Sequence, residues 1–216
     1  MPKRALLEHR PWLLAGVIAS LAYYFLWNNP IGGVWLILLK GAGVGFLAVY
    51  AWRRAPGLDG AILTLALALS AAADMALELW FEVGGALFAA SHLAAIVLYL
   101  RNRREQTVWS QRLAAAALLL GVPVISYLLS GRADIAVYSV FLGLMAAAAW
   151  MSRFPRYRVG IGAVLFVISD WLIFSREGLY DLSPLPDTLV WPLYFAGQLM
   201  IATGVVQTLR GERPVK

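Results

Sequence analysis

Apolar runs close to 20 residues long follow one another along almost the whole chain, and no other feature limits the fold so tightly. A helix needs a run of about that length to cross roughly 30 Å of hydrocarbon. Inside a bilayer the backbone finds no water, so a spanning segment this long satisfies its own hydrogen bonds as a helix. Of the 216 residues, 61% are hydrophobic and 14% charged, whereas soluble domains contain about 45–50% and 25%. The expected fold is therefore an all-α membrane protein, a single polytopic domain over residues 1–216 with eight transmembrane helices. Their expected limits are 12–27, 31–52, 59–80, 81–100, 113–130, 133–151, 159–175 and 188–209.

Turn signals separate the runs. They are Asn28-Asn29-Pro30, then Arg53, Arg54, Pro56 and Gly57, a polar segment over 101–112, and a Pro-rich loop over 176–187. Almost nothing separates the third run from the fourth, so these two must form a tight antiparallel pair. The absence of cysteine excludes disulfides, thiolate metal sites and cysteine nucleophiles. No small-residue cleavage motif follows the first run, which is read as a span and not as a cleaved leader.

The net charge of +6 is explained by its distribution. Basic residues are retained on the cytoplasmic side of a membrane. The N-terminal arm carries Lys3, Arg4 and Arg10, and the connection after the second run carries Arg53 and Arg54. The connection after the fourth carries Arg101, Arg103, Arg104 and Arg112. Arg153, Arg156 and Arg158 follow the sixth run, and Arg210, Arg213 and Lys216 form the tail. The alternate connections hold only Arg132 and Arg176, a split of fifteen to two. Both termini are thus expected in the cytoplasm, which an even number of helices satisfies. No nucleic-acid partner is needed to account for the charge, and the expected location is the inner (plasma) membrane of a bacterium.

Against this apolar background, Asp74 and Asp170 lie inside the third and seventh runs. An ionisable group facing lipid costs at least about 2.5–3.5 kcal/mol, so such residues face a bundle interior or a wet cavity. Both aspartates fall in the outer half of helices that start from the cytoplasm, each with a serine close by (Ser70, Ser169). Two parallel four-helix repeats would produce that arrangement. Lys40, His92, Tyr194 and Gln198 fall at a similar depth on other helices, so Asp74, Asp170, Lys40, His92 and Gln198 are expected to line one chamber. Spacing supports a shared interior, since Ser70, Asp74 and Glu78 recur at i, i+4 and i+8, and Tyr194 and Gln198 at i, i+4.

Each of these residues also has a plainer structural reading. Lys40 would pair with one aspartate, His92 would make an interhelical hydrogen bond, and Glu78 would simply be solvated. Ser70, Ser169 and Gln198 are common interhelical contacts, and the tryptophans form interfacial belts. Two acids at one depth on separate helices are harder to explain in that way.

At these positions the chain resembles the lysoplasmalogenase family, also called the YhhN family of multi-pass membrane proteins. The resemblance is carried by Lys40, by LALALSAAAD ending at Asp74, and by GGALFAASH ending at His92. It continues through Tyr138 with Met145, GAVLFVISD ending at Asp170, and LYFAGQLMIATG with Tyr194 and Gln198. The chain departs from the family pattern at Ala73, Gly41 and Ala95, where Gly, Pro and Tyr are usual. The resemblance implies hydrolysis of the vinyl ether bond of a lyso-ether phospholipid, giving a fatty aldehyde and glycerophosphocholine or glycerophosphoethanolamine. It implies Asp74 and Asp170 as the catalytic pair, with Lys40, Ser70, His92, Tyr138, Ser169, Tyr194 and Gln198 in supporting or substrate-binding roles. The expected partners are that lipid and the bilayer.

The chemistry suits the residues. Vinyl ether hydrolysis begins with protonation of the alkene carbon distal to oxygen and passes through an oxocarbenium ion, to which water adds. One protonated carboxyl and one carboxylate suffice, and no metal or organic cofactor is required. Desolvation and a neighbouring like charge both favour a protonated carboxyl, and carboxyl pairs divide acid and base roles elsewhere. The competing readings are a proton-coupled transporter, since intramembrane carboxylates also relay protons, and a lipid-binding membrane protein without catalysis.

Overall fold

The computed structural model describes residues 10–29, 33–176, 178, 180 and 182–211. Lys3, Arg4, Arg213, Lys216 and the first two residues of the expected second span lie outside them. Eight α-helices account for most of the described chain: α1 (Pro11–Leu26), α2 (Gly33–Arg54), α3 (Gly57–Leu77), α4 (Phe81–Arg101), α5 (Trp109–Ser130), α6 (Ala133–Met151), α7 (Ile161–Ser175) and α8 (Leu185–Gly211). A π-helical turn, Arg156–Gly160, leads directly into α7. By length and composition, seven segments can cross a membrane, α7 together with its π-helical turn as the 20-residue stretch Arg156–Ser175, as expected of a multi-pass membrane protein. The exception is α1, whose 16 residues reach only about 24 Å. Most helix limits differ from the expected ones by three residues or fewer, the largest shift being at the start of α5. α5 starts at Trp109 and not at residue 113, and α8 starts at Leu185, so Pro186 and Asp187 occupy its first turn.

Local chemistry explains the helix ends. α1 begins on Pro11, whose fixed φ and missing N–H suit a first helical position. α5 ends on Gly131 at φ 68°, where the Gly131 N–H donates to the Tyr127 carbonyl at 2.7 Å in the left-handed cap that glycine adopts freely. At the same turn the Ser130 hydroxyl donates to the Ser126 carbonyl and accepts the Arg132 N–H. This tight corner brings α6 back along α5. At the opposite end of the bundle, Asp59 on α3 accepts from Arg101 Nε at 2.8 Å and from Asn102 Nδ2 at 2.9 Å. Asn102 in turn accepts from Arg153 Nε at 2.7 Å, fastening the ends of α3, α4 and α6 to one another.

α1 packs on α2 and touches α8, whose Trp191 Nε1 donates to the Ser20 carbonyl at 3.0 Å. α8 packs on α2, α3 and α7, while α4 packs on α3 and α6. α7 and α8 meet through two glycines. A Cβ on Gly162 would stand 2.7 Å from the Gly197 carbonyl oxygen, and one on Gly197 would stand 2.6 Å from that of Gly162. Close backbone approach through small residues is how helices associate where lipid removes the hydrophobic drive. Gly162→Ala or Gly197→Ala is therefore expected to lower stability by about 1–3 kcal/mol, the cost of forcing extra volume into a packed contact. Thermal unfolding of the detergent-purified variants, followed by tryptophan fluorescence, checks this.

Candidate active site

Asp74 lies near the C-terminal end of α3 and Asp170 in the corresponding part of α7. Both are buried. Burying a carboxyl is tolerable only when its oxygens find partners, and each finds a tyrosine from another helix. Tyr194 of α8 donates to Asp74 Oδ2 at 2.7 Å, and Tyr138 of α6 donates to Asp170 Oδ2 at 2.9 Å. The Tyr138 hydroxyl also lies 3.0 Å from His92 Nε2 on α4, so carboxyl, phenol and imidazole form one chain. With its proton on Asp170 Oδ2, Tyr138 accepts from His92. When Asp170 donates to the phenol, the phenol donates to the imidazole instead. The two arrangements differ only in where protons sit.

Aromatic rings link the two tyrosine–carboxyl pairs. The Phe166 ring lies 5.1 Å from the Tyr194 ring and 5.1 Å from the His92 ring, and Phe88 stands edge-on to Phe166 at 5.7 Å. Gln198 Nε2 donates to Ser70 Oγ at 3.1 Å, and the Ser70 and Ser91 hydroxyls meet at 2.8 Å. Asp74 is within electrostatic reach of Lys40, Glu78 and Asp170.

A cavity of about 360 Å³ lies between α4, α6 and α7. Asp170 and Tyr138 line its inner part beside Phe88, Phe141 and Phe174, and Glu82, Arg132 and Asp134 line its mouth. Lys40, Asp74, His92 and Gln198 do not line it. The expectation of one chamber shared by five polar residues is corrected here. Phe88, Phe166 and Tyr194 pack against one another, and Phe88 and Phe166 also against the His92 ring. His92 and Gln198 instead border a separate void of only about 20 Å³.

Two further expectations are corrected. Lys40 pairs with Glu78, not with an aspartate. Its Nζ donates to Glu78 Oε1 at 2.5 Å and sits 5.8 Å from the centre of the Tyr23 ring. Glu78 is accordingly the counter-ion of Lys40 and not merely a solvated acid, although it stays partly exposed. The remaining supporting residues make interhelical contacts. Ser169 donates to the Val190 carbonyl at 2.9 Å, and His92, Ser70 and Gln198 bridge helices as described above.

Sequence reasoning passed over Phe88, Phe166, Ser91 and the charged mouth. The i, i+4 rule held a usable signal: Phe88 precedes His92, and Phe166 precedes Asp170, by the same four residues that separate Ser70 from Asp74 and Tyr194 from Gln198. Four helices thus present matched pairs to one interior.

Comparison with curated proteins and comparison with solved structures each found no match. A family model described as the YhhN family does match, over residues 35–205. That stretch takes in both aspartates with their tyrosines, and the chain belongs to the YhhN family.

Proposed function

We propose that the protein is a membrane hydrolase that cleaves the vinyl ether bond of lysoplasmalogen, releasing a fatty aldehyde and glycerophosphocholine or glycerophosphoethanolamine. The observation that carries this reading is the form of the cavity: an apolar space with charged residues at one end and Asp170, backed by Tyr138 and His92, at the other. A single-chain amphiphile has the same polarity along its length. The volume lies within the range of small-molecule pockets, about 300–1,000 Å³. Val137, on the cavity wall, is exposed on the outer surface of the bundle, so the far part of a long chain would continue into lipid. Family membership supports the same activity.

In this mechanism Tyr138 occupies Oδ2 of Asp170, and Oδ1 carries the transferable proton. Asp170 gives that proton to the alkene carbon distal to the ether oxygen, leaving an oxocarbenium ion. The carboxylate so formed stabilises the cation and takes a proton from the water that adds to it. The resulting hemiacetal collapses to the aldehyde and the free glycerol hydroxyl, and Asp170 is again protonated. Asp74, which accepts the Tyr194 hydroxyl and does not line the cavity, influences Asp170 through the electrostatic coupling between the two acids. Lys40, paired with Glu78, is within the same electrostatic reach of Asp74. Purified protein in detergent, offered a lysoplasmalogen panel, is expected to release aldehyde with no membrane gradient present. A transporter or a simple lipid-binding protein would release none.

The orientation expected from the basic residues belongs to the same proposal, with both termini cytoplasmic in a bacterial inner membrane and the cavity mouth facing outward. Reporter fusions at Lys216 and within residues 182–186 should then report opposite sides, and a shared side would contradict the topology. The proposed parallel repeat is supported by an exchange of contacts: α4 packs on α6, and α8 packs on α2. A twofold relation between α1–α4 and α5–α8 requires this exchange.

A further inference from the structure

The cavity mouth brings together three charged side chains that neither the hydrogen-bonded core nor the reaction steps use. Arg132 precedes α6, and its Nε and Nη2 donate to the two oxygens of Asp134 at 3.2 and 2.6 Å, holding the guanidinium at the rim. Glu82, in the first turn of α4, lines the same mouth. One fixed cation and two anions at the rim of an otherwise apolar cavity match a zwitterion better than a simple anion. Resting on the reading of this cavity as the lipid-substrate site, we infer that the mouth recognises a phospho-amine headgroup, with Arg132 taking the phosphate and Glu82 the ammonium.

The register agrees. Arg132 and Tyr138 are six residues apart on the chain, about 9 Å along a helix axis. In a lysoplasmalogen, seven bonds separate the phosphorus from the alkene carbon that must be protonated, and a fully extended chain covers about 8 Å in that many bonds. A phosphate at Arg132 therefore delivers the reacting carbon to the level of Tyr138 and Asp170. Arginine suits this role because its planar guanidinium carries five N–H donors, more than the two that Asp134 takes, and Asp134 fixes its plane. The ammonium of ethanolamine or choline extends only a few bonds beyond the phosphate, toward the acids of the rim. A headgroup with phosphate but no amine would leave Glu82 facing an anion. A glycerol ether without phosphate would leave Arg132 without its ligand.

Binding tests this without any chemistry. The probes are three saturated alkyl-ether glycerols, which cannot undergo vinyl ether hydrolysis: one with a phosphoethanolamine headgroup, one with phosphate alone, and one with no phosphate. Their Kd values are measured by calorimetric titration of the detergent-purified full chain. Arg132→Gln is expected to weaken both phosphate-bearing probes about tenfold relative to the phosphate-free one, as the loss of a charge-assisted contact predicts, with Arg132→Lys recovering part of that loss. Glu82→Gln is expected to weaken the phosphoethanolamine probe relative to the phosphate-only probe. Equal changes across all three probes, or none, would overturn the assignment. If the headgroup selectivity appears but no aldehyde is formed from vinyl ether substrates, the hydrolase reading fails while the headgroup site stands.

Discussion

Asp170→Asn is expected to lower the rate of aldehyde release by at least about 10²–10⁴-fold, the usual contribution of a positioned general acid. Asparagine keeps nearly the same shape and can still accept the Tyr138 hydroxyl, now at 2.9 Å from Asp170 Oδ2. It cannot give a proton to carbon, and it carries no charge to hold the oxocarbenium ion or to activate water. The variant should fold, since the cavity wall and the tyrosine contact survive, and it should bind the saturated ether probes with a Kd close to that of the unaltered protein. The measurement is therefore a pair, turnover at saturating substrate beside probe affinity. Turnover near that of the unaltered protein would remove Asp170 from the acid role.

Asp74→Asn should cost less and in a different way. Asp74 does not line the cavity, so it acts on the reaction through its electrostatic coupling to Asp170 and through Tyr194, whose hydroxyl it accepts at 2.7 Å. Removing one preorganised electrostatic contact typically costs about 10²–10³-fold in kcat. We expect about 10²-fold here, because Asp74 does not line the cavity that would hold the reacting atoms. KM should change little, since no substrate contact is lost. A purely structural Asp74 would give the opposite pattern, a lower unfolding temperature with kcat unchanged in the protein that remains folded. Measuring kcat, KM and thermal unfolding on one preparation separates the two.

Much of this architecture was legible in the residues. Helix number, the tight turn between α3 and α4 and the burial of both aspartates follow from run length, from breakers such as Pro56 and Gly57, and from the price of a charge in hydrocarbon. The pairing of polar groups was not legible. In a soluble helix the apolar stripe shows which face turns inward. Here the lipid face and the packed face are both apolar, so the pattern leaves helix rotation unspecified. Lys40 illustrates this: its depth was readable, but which acid it meets depends on how α2 and α3 are rotated against each other, and the answer is Glu78. The cavity was hidden for a related reason. It is a gap between α4, α6 and α7 bordered mostly by side chains such as Ala86, Ala89 and Phe141, which the sequence marks only as apolar. The tyrosine partners stood midway. Tyr194 and Tyr138 were singled out by family resemblance and spacing, whereas the carboxyl each one meets required the fold.

The central claim is that turnover begins with a proton delivered to carbon, and isotope incorporation tests it most directly. The purified protein is to hydrolyse a lysoplasmalogen in D₂O, with the fatty aldehyde trapped at once and analysed by mass spectrometry beside authentic aldehyde held in the same solvent. The account predicts one deuterium at the carbon next to the aldehyde carbon, beyond any exchange seen in the control, and a slower rate than in H₂O. Aldehyde formed at an undiminished rate with no deuterium at that carbon would contradict it.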